Sequence, residues 1–437
     1  MAEIHAFRAV RYDLGRVGML SDVVAPPYDV IDAALQQQLY DRSPFNSIRV
    51  ELTQEQPGDT EHNNRYTRAA STIREWEREG ALVQDSVRAL YVYEQEFVVE
   101  GKTYHRRGFI GRVRLEPFGT GRIFPHEETM SGPKADRLNL YRATAMNLSP
   151  VFGLYPDETN AVFAILEPHL HRNLPVQAVD HLGVVSRIWT ITDETAIREV
   201  SVLFAEKPVF IADGHHRYET SLKYLEERKA AGEVTTPDAS ANFVMMMLVS
   251  MSDPGLIILP THRLVSGLSG LTSEQVKTIL APEFDVETIG VGADAAKATW
   301  ERMEMDGGQT LLGFGTTSDG VWQLAKLRNG DSMNQLAGDH SDPWRELGVS
   351  VLHVLVLNHL VPQAIAGASP TCKYVHLLQE VTDAQAAGAC DLAVLVPPAG
   401  MEHVELIAGN REKMPPKSTY FYPKLLTGLT FNTLKGN

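Results

Sequence analysis

The stretch KPVFIADGHHRYET, residues 207–220, decides how the first half of this chain is interpreted. An apolar run ends at Asp213, a glycine follows, and a polar, amphipathic segment comes next. This order predicts a strand, a sharp turn and a helix. A helix that starts directly after a strand exposes unpaired backbone N–H groups and the positive end of its dipole. Such an end binds anions, and phosphate in particular.

The side chains of this turn favour the same interpretation. Gly214 lets the backbone approach a ligand where a Cβ would clash, and Arg217 offers a planar, bidentate donor for phosphate oxygens. His215 and His216 donate hydrogen bonds and exchange protons near neutral pH. Asp213 is suited to hold a magnesium ion or to orient a hydroxyl group, so the turn predicts phosphoryl transfer. The catalytic candidates are Asp213 and His215, and the phosphate- or nucleotide-binding candidates are Gly214, His216 and Arg217.

Two other interpretations of this turn stay open. Asp213 is also a suitable N-cap residue, in which case the histidines would be ordinary surface residues. The histidines are also potential metal ligands, but adjacent histidines point in different directions on a helix. The four-residue spacing of the zincin pattern is absent here, so this alternative is the weaker one, and no metal ligand is assigned.

Composition limits the class of protein. The chain has 437 residues, 43% of them hydrophobic and 22% charged, which predicts two or three globular domains. Its net charge of −15 argues against nucleic acid as a partner, because neutralisation of phosphates dominates DNA affinity. Two cysteines, Cys372 and Cys390, are too few for a zinc ribbon or a disulfide framework. The N-terminus lacks a signal-peptide layout, and no apolar run is long enough to span a bilayer. We therefore expect a cytoplasmic protein without a membrane partner.

Patterns along the chain predict an α/β protein with mixed sheets. The clearest elements are a helix within 63–82, a β-hairpin or meander within 86–118, and strands within 149–157 and 242–250. The pattern of apolar and polar residues changes at SGLSG, residues 266–270, a composition that is typical of a linker. We therefore expect a phosphate-binding domain with insertions at 1–266 and a second α/β domain, contributing to the cleft, at 267–437.

A polar loop and a strand end supply further candidate residues. The loop FPHEETMSGPKADRL, 124–138, contains acids and bases around a glycine-proline turn. Its catalytic candidates are Glu127 and Glu128, and its phosphate-binding candidates are Lys134 and Arg137. In LPTHRLV, 259–265, His262 and Arg263 follow an apolar strand, a frequent site position in open α/β sheets. A solvated surface loop and a plain strand-exit turn are the alternatives.

The third cluster, KMPPKSTYFYPKLLTGL at 413–429, is basic and aromatic in an otherwise acidic protein. Lys417 and Ser418 are its candidate phosphate ligands, and Lys424 belongs to the same stretch. These residues either line the same anion pocket or cover a strand.

Several long motifs resemble one family almost from end to end. FRAVRYD and VVAPPYDVI come first, followed by PHEETMSGPKADRL, ADGHHRYET, LPTHRLV and MPPKSTYFYPKLLTGL. The chain is thereby identified as a member of the domain-of-unknown-function 1015 family. The family name implies no reaction.

The string DGHHR is also similar to the phosphate-contacting motif of free-serine kinases in the ParB/sulfiredoxin-like superfamily. That resemblance implies a ParB/sulfiredoxin-like N-terminal part, in which residues 213–217 cradle a phosphate. It also implies a bound nucleotide (ATP or ADP), usually with Mg²⁺. The sulfiredoxin cysteine is absent, so sulfinic-acid repair is not expected. The kinases require a catalytic glutamate, for which Glu51, Glu127 and Glu128 are candidates.

The leading hypothesis is an enzyme of phosphoryl transfer on a small hydroxyl metabolite, with serine or phosphoserine as the first choice. Its direction, kinase or phosphatase, stays open. One alternative is a nucleotide-binding regulator of ParB type, and another is a metal-dependent phosphohydrolase. The expected partners are a nucleotide and a small phosphorylated metabolite, and a homodimer is one assembly to consider.

Overall fold

The chain folds into two compact units. The computed structural model describes residues 2–127, 131–172 and 174–436. Unit 1 comprises 1–125, 129–256 and 423–437, and unit 2 comprises 126–128 and 257–422. These bounds differ from the predicted division at residue 266, because the strand before it pairs within unit 2 and the C-terminal residues return to unit 1. The roles assigned to the two predicted domains stay predictions.

The strands in chain order are β1 (Ile4–His5), β2 (Val10–Tyr12), β3 (Leu82–Gln84), β4 (Leu90–Val99), β5 (Lys102–Arg114), β6 (Ile123–Pro125), β7 (Met146–Asn147), β8 (Val151–Tyr155), β9 (Val176–Val179), β10 (Val185–Ile191), β11 (Val209–Asp213), β12 (Phe243–Ser250), β13 (Ile257–Leu259), β14 (His262–Ser266), β15 (Phe284–Val291), β16 (Leu311–Thr316), β17 (Val321–Leu327), β18 (Thr371–Val375), β19 (Leu392–Leu395), β20 (Tyr420–Tyr422) and β21 (Asn432–Thr433).

The helices are α1 (Leu14–Val17), α2 (Leu20–Val23), α3 (Ala33–Arg42), α4 (Ile48–Glu51), α5 (Arg65–Arg78), α6 (Ser131–Thr144), α7 (Ala161–Leu170), α8 (Glu194–Phe204), α9 (His215–Ala230), α10 (Ser273–Leu280), α11 (Gly292–Asp306), α12 (Asp331–Leu336), α13 (Asp342–Glu346), α14 (Gly348–Ser350), α15 (Val361–Ala364), α16 (Leu378–Ala386) and α17 (Met401–Gly409). Short 3₁₀ turns span Tyr28–Val30 and Ser240–Asn242, and a π-helical segment, Val351–Leu360, joins α14 to α15.

Unit 1 is built on a nine-stranded mixed sheet in the order β6-β11-β8-β12-β5-β4-β10-β9, with β1 paired to one end of β5. Strand β12, sequence FVMMMLVS, is buried along its whole length, as a continuous apolar run in a central strand predicts. The predicted hairpin is confirmed as β4 and β5, which pair antiparallel around Glu100 and Gly101. Both turn residues have positive φ, the conformation that tight hairpin turns require.

The helices of unit 1 follow local sequence signals. Helix α5 starts at a capping box in which the Asn64 side chain accepts hydrogen bonds from the first-turn N–H groups and Thr67 reciprocates. It buries Ala69, Ile73 and Trp76, residues at helical spacing on one face. Helix α6 packs against both α5 and α9.

Unit 2 contains a six-stranded sheet in the order β15-β17-β16-β19-β14-β18 and a two-stranded sheet of β13 and β20. Consecutive residues along β14, Leu264 and Val265, belong to different hydrophobic clusters. Because neighbouring side chains of a strand point to opposite faces, the sheet has an apolar cluster on each side. The mixed α/β class predicted from the sequence is therefore confirmed in both units.

In the portion of the chain that the structure describes, no helix combines the length and apolar character needed to cross a bilayer.

Candidate functional site

The strand, turn and helix predicted for residues 207–220 are confirmed. Strand β11 ends at Asp213, Gly214 has φ 86° and ψ 28°, and α9 begins at His215. The register between β11 and β8 shifts between Ile211 and Asp213. Such an irregularity changes the direction in which a strand-end side chain points. One short turn therefore fixes both the Asp213 carboxyl group and the start of the helix.

Among the residues that the structure describes, no side chain caps the start of α9. Its N-cap residue is Gly214, which has no side chain, and the first turn of α9 contains no acidic residue. The alternative in which Asp213 is the N-cap residue is therefore wrong. The partial positive charge of a helix start favours an anion near its first backbone N–H groups.

Asp213, Arg217 and Lys424 form a buried cluster that we call the Asp213 centre. Lys424 Nζ lies 2.5 Å from Asp213 Oδ1, and Arg217 Nη2 lies 2.6 Å from Asp213 Oδ2. The three side chains are only 15%, 4% and 12% exposed for Asp213, Arg217 and Lys424. Burial alone would raise the pKa of Asp213, but Lys424 and then Arg217 outweigh it and hold that pKa below its ordinary value. The carboxylate is therefore ionised at neutral pH.

Arg217 is held by the protein on both sides. Its Nη1 donates a hydrogen bond to the carbonyl oxygen of Pro150, and its Nη2 donates to Asp213. Burial would lower the pKa of Arg217, yet Asp213, Asp29 and Tyr28 raise it above its ordinary value. The guanidinium therefore stays charged inside the fold.

Gly214 is required by Arg217 as well as by the turn. A Cβ at Gly214 would lie 2.8–2.9 Å from three guanidinium atoms of Arg217. The sequence predicts that glycine at 214 leaves room for a ligand, and this stays a prediction. The close packing of Arg217 is by itself sufficient to require glycine at this position.

We expect Gly214→Ala to lower the free energy of unfolding by about 1–3 kcal/mol, because it combines left-handed strain with a clash against Arg217. Gly232→Ala is the matched control, since Gly232 has φ 73° but an added methyl group there would meet open space. Chemical denaturation of both variants measures the difference. Equal losses of unfolding free energy in Gly214→Ala and Gly232→Ala would contradict a clash with Arg217.

The two histidines differ in exposure. His215 is buried with 7% of its surface exposed, and His216 is half-buried. His215 also contributes to lowering the pKa of Asp213. Among the described residues, no group of three or more His, Cys, Asp or Glu side chains is arranged to hold a metal ion. The proposed roles of His215 and His216 as phosphate ligands stay predictions.

A second buried ionic cluster surrounds Arg137. Its Nη1 donates to Glu51 Oε1 at 3.2 Å and to the Glu51 carbonyl oxygen at 2.9 Å, while Nη2 lies 2.6 Å from Asp136 Oδ2. Ser149 Oγ donates to the same Glu51 oxygen at 3.1 Å. The Arg137 guanidinium lies 4.1 Å from the ring centroid of Tyr28. Arg137, a predicted phosphate ligand, is thus engaged by two carboxylates.

The two clusters are electrostatic neighbours. Glu51 and Tyr28 influence the pKa of both Arg137 and Arg217, in each case after the larger effect of burial. Lys134, another predicted ligand, lies at the edge: its Nζ is 2.5 Å from Glu219 Oε2. Within unit 1, the structure therefore groups the sequence phrases PPYD, KADR and DGHHR with Lys424.

The remaining candidates belong to unit 2, except Glu128, which lies outside the described residues. Glu127 Oε1 accepts a hydrogen bond from the backbone N–H of Lys417 at 2.9 Å, and Lys417 has φ 60°. Ser418 Oγ donates to the Pro415 carbonyl at 2.6 Å. Arg263 is buried and donates to the carbonyl of Lys417 at 2.9 Å. These contacts fix the local backbone, and ligand binding by these residues stays a prediction.

His262 is held in its neutral form. Its Nδ1 accepts a hydrogen bond from the Val396 N–H at 3.2 Å, and its ring packs edge-on against Trp300. Burial, with smaller effects of His376 and Arg263, lowers the pKa of His262 from 6.5 to about 3. A neutral acceptor in this position suits a structural role, and the predicted phosphate contact has no support from these contacts.

We expect the stability contributed by neutral His262 to be fully present above pH 6.5 and to decline as pH falls towards about 3. The unfolded chain binds a proton in this window and the folded chain does not, which costs up to about 1.4 kcal/mol per pH unit. His262→Asn keeps the acceptor and removes the titration, so its unfolding free energy should depend less on pH. His62→Asn, at an exposed position, should leave the wild-type profile unchanged. Identical profiles for His262→Asn and wild type would contradict the assignment.

Several residues of these clusters were not predicted as site residues. The sequence patterns include Lys424 only as part of a basic stretch and Asp136 only as part of a polar loop, and they do not single out Ser149 and Tyr28 as site residues. Arg106 was also missed: it is fully buried, and its Nη2 donates to the Pro423 carbonyl at 2.5 Å. Its only signal in the sequence is an arginine inside a predicted half-buried strand.

Comparison with solved structures finds distant likeness. A conserved hypothetical protein from Pyrococcus furiosus is 13% identical, with a TM-score of 0.34, covering 70% of this chain and 89% of that chain. A free serine kinase variant in complex with ADP is 11% identical, with a TM-score of 0.34, covering 69% and 84%. SbnI from Staphylococcus aureus, truncated at its C-terminus, is 10% identical, with a TM-score of 0.34, covering 73% and 85%.

No curated protein matches the chain. A family model described as "Protein of unknown function (DUF1015)" matches residues 4–350, most of the chain and all of the phrases up to LPTHRLV on which the resemblance was based. The chain belongs to the DUF1015 family.

Proposed function

We propose that this protein binds the phosphate of a nucleotide at the start of α9 and transfers a phosphoryl group to or from a small hydroxyl metabolite, with serine as the first choice. One observation carries the proposal: two buried cations, Arg217 and Lys424, lie against Asp213 at the start of a helix whose N-cap residue is a glycine. Both the cationic groups and the helix dipole attract an anion.

The energetics favour a bound anion. Arg217 and Lys424 are both buried, and a buried charge is costly unless opposite charges lie close to it. A phosphate oxygen beside the two cations would add such an opposite charge. In a site of low dielectric constant, the same charges would stabilise negative charge that develops on a transferred phosphoryl group.

The lowered pKa of Asp213 decides its role. A carboxylate held by two cations is a poor proton acceptor at neutral pH, so Asp213 positions Arg217 and Lys424. His215 and His216 are proposed to contact the phosphate. The proton acceptor for the substrate hydroxyl is proposed to be one of the three candidate glutamates, Glu51, Glu127 or Glu128.

Magnesium is proposed as a companion of the nucleotide. Mg²⁺ is usually held by one or two carboxylates together with substrate phosphates. When bound, the ion would neutralise charge on the transferred group.

A ligand screen tests the proposal. Thermal shift and calorimetry with ADP, ATP, AMP and phosphoserine, each with and without Mg²⁺, should show specific stabilisation of the wild-type protein. Phosphorus NMR then follows phosphate transfer between nucleotide and serine. Arg302→Met removes a positive charge from an exposed ion pair with Glu287, so this control variant should be stabilised by the same ligands as the wild type.

The outcomes separate the candidate functions. Failure of every ligand to stabilise the wild type would overturn the proposal. Nucleotide binding without turnover would favour the regulator. Phosphate release without nucleotide, abolished by a chelator, would favour the phosphohydrolase.

A further inference from the structure

A cavity of about 930 Å³ lies in unit 1, and neither the Asp213 centre nor the cluster around Arg137 contributes to its walls. The walls come from three segments: residues 2–8, which include β1, residues 86–88 before β4, and residues 192–205, which include α8. The volume lies within the range of about 300–1,000 Å³ that is usual for small-molecule sites.

Hydrogen bonds hold these three segments together. Phe7 and Ala89 exchange two backbone hydrogen bonds of 3.0 and 3.1 Å, which join the first segment to the second. Ser201 Oγ donates to the carbonyl oxygen of Ile4 at 3.0 Å and so joins α8 to β1. A ligand that enters a cavity with walls already bonded to each other has little ordering to offset.

Three exposed arginines line the cavity, one from each segment: Arg8, Arg88 and Arg198. Arg8 donates to Gln84 Oε1 at 2.9 Å, and among the described residues none of the three arginines forms an ion pair. Cations gathered along one concave surface create a local positive potential, even though the whole chain has a net charge of −15.

The acidic residues of the cavity do not balance these arginines. Glu3 and Glu194 are the two glutamates among the described lining residues. Glu3 is engaged by Arg114, which does not line the cavity: Arg114 Nε lies 2.5 Å from Oε2 and Nη2 lies 2.7 Å from Oε1. That contact lowers the pKa of Glu3 to about 2. Glu194 therefore faces three arginines.

The cavity also has an apolar wall. Ile4 and Ala6 are buried, Ile197 is half-buried, and Val87 keeps 52% of its surface exposed. An inorganic anion would leave this wall in contact with water. A ligand with an apolar body would cover it, and removal of apolar surface from water is favourable.

A buried arginine lies behind the same strand. Arg112 is the register partner of His5, a lining residue, and is only 7% exposed. Its Nε is buried without a hydrogen-bond partner among the described residues. Burial and then repulsion from Arg88 lower the pKa of Arg112, against smaller effects of Asp238 and Glu3. An anion beside Arg88 would weaken that repulsion.

We propose that this cavity binds an organic anion in which a carboxylate or phosphate head is attached to an apolar body. The head contacts Arg8, Arg88 and Arg198, since guanidinium groups form paired hydrogen bonds with both kinds of head. The body packs against the apolar wall. This binding site goes beyond the proposed function, because it shares no residue with the phosphate site at the start of α9.

Calorimetry with four probes tests the proposal: octanoate, octyl phosphate, octanamide and acetate. Octanoate should bind the wild-type protein with a Kd of about 1 mM or tighter. Octanamide, which lacks the charge, and acetate, which lacks the chain, should each bind at least about tenfold more weakly. The comparison of octanoate with octyl phosphate identifies the preferred head.

Substitutions then assign the binding to this cavity. The double variant Arg88→Met/Arg198→Met should weaken octanoate binding by about tenfold or more and leave octanamide binding unchanged. Val87→Asp, at an exposed position, places a carboxylate on the apolar wall and should also weaken octanoate binding. Arg16→Met is the matched control, since Arg16 is exposed and is not a lining residue.

The outcomes are decisive. Octanoate that binds no more tightly than octanamide or acetate would overturn the proposal, and so would an unchanged octanoate Kd in the double variant. Loss of octyl phosphate binding in the double variant would support a phosphate head in this cavity. If octyl phosphate binding survives there and disappears in Arg217→Met, the phosphate head belongs to the start of α9 and the proposal fails for phosphate. ADP binding at α9 is decided separately, since the four probes contain no nucleotide.

Discussion

Replacing Arg217 with methionine is expected to lower the free energy of unfolding by about 2–4 kcal/mol and to remove binding of pyrophosphate and ADP. A buried salt bridge that loses one partner costs about 3–5 kcal/mol, and Lys424 still compensates Asp213 in part. The substitution also leaves the Pro150 carbonyl without its Arg217 donor. Denaturant titration measures the stability, and calorimetry measures the affinity.

Two comparisons make the Arg217 result specific. Arg217→Lys keeps a charge but cannot serve Pro150 and Asp213 together, so it should recover part of the affinity and little of the stability. Arg302→Met, in an exposed ion pair, should cost no more than about 1 kcal/mol. A stable Arg217→Met protein that binds ADP as the wild type does would refute the place of Arg217 in the site.

Local patterns predicted the elements that carry the site. The apolar run up to Asp213 followed by glycine is sufficient to define β11 and the start of α9. Helix α10, which follows the linker, begins at the N-cap Thr272, whose side chain accepts a hydrogen bond from the Gln275 N–H, and threonine is a residue type that favours this position. The residues that form such signals lie close together in the chain, so a single sequence is sufficient to show them.

Partnerships across the chain were beyond the reach of those patterns. The hydrogen bond from Gln95 to Lys424 spans 329 positions, and the Arg137–Glu51 contact spans 86. No periodicity or turn signal specifies which distant residues meet, because such contacts depend on the packing of the whole unit. For the same reason the predicted domain at 267–437 missed the return of residues 423–437 to unit 1.

Arg137→Met should lower the free energy of unfolding by more than the loss of a surface arginine does. A second substitution should reverse part of that loss. Glu51 is 2% exposed, and Arg137 Nη1 contacts both its carboxylate and its carbonyl oxygen. Loss of the arginine leaves a buried carboxylate with Ser149 as a neutral donor, at a cost of about 3–5 kcal/mol in unfolding free energy.

Adding Glu51→Gln to Arg137→Met should recover part of that stability, because the uncompensated charge disappears while Ser149 keeps its acceptor. Denaturant titration of the two single variants and the double variant measures the coupling. The same proteins test function. If Arg137 only balances Glu51, the double variant binds ADP like the wild type; if Arg137 is a phosphate ligand, as the sequence predicted, binding stays weak. Additive stability losses would contradict the pairing, since two groups that share a buried contact cannot be independent.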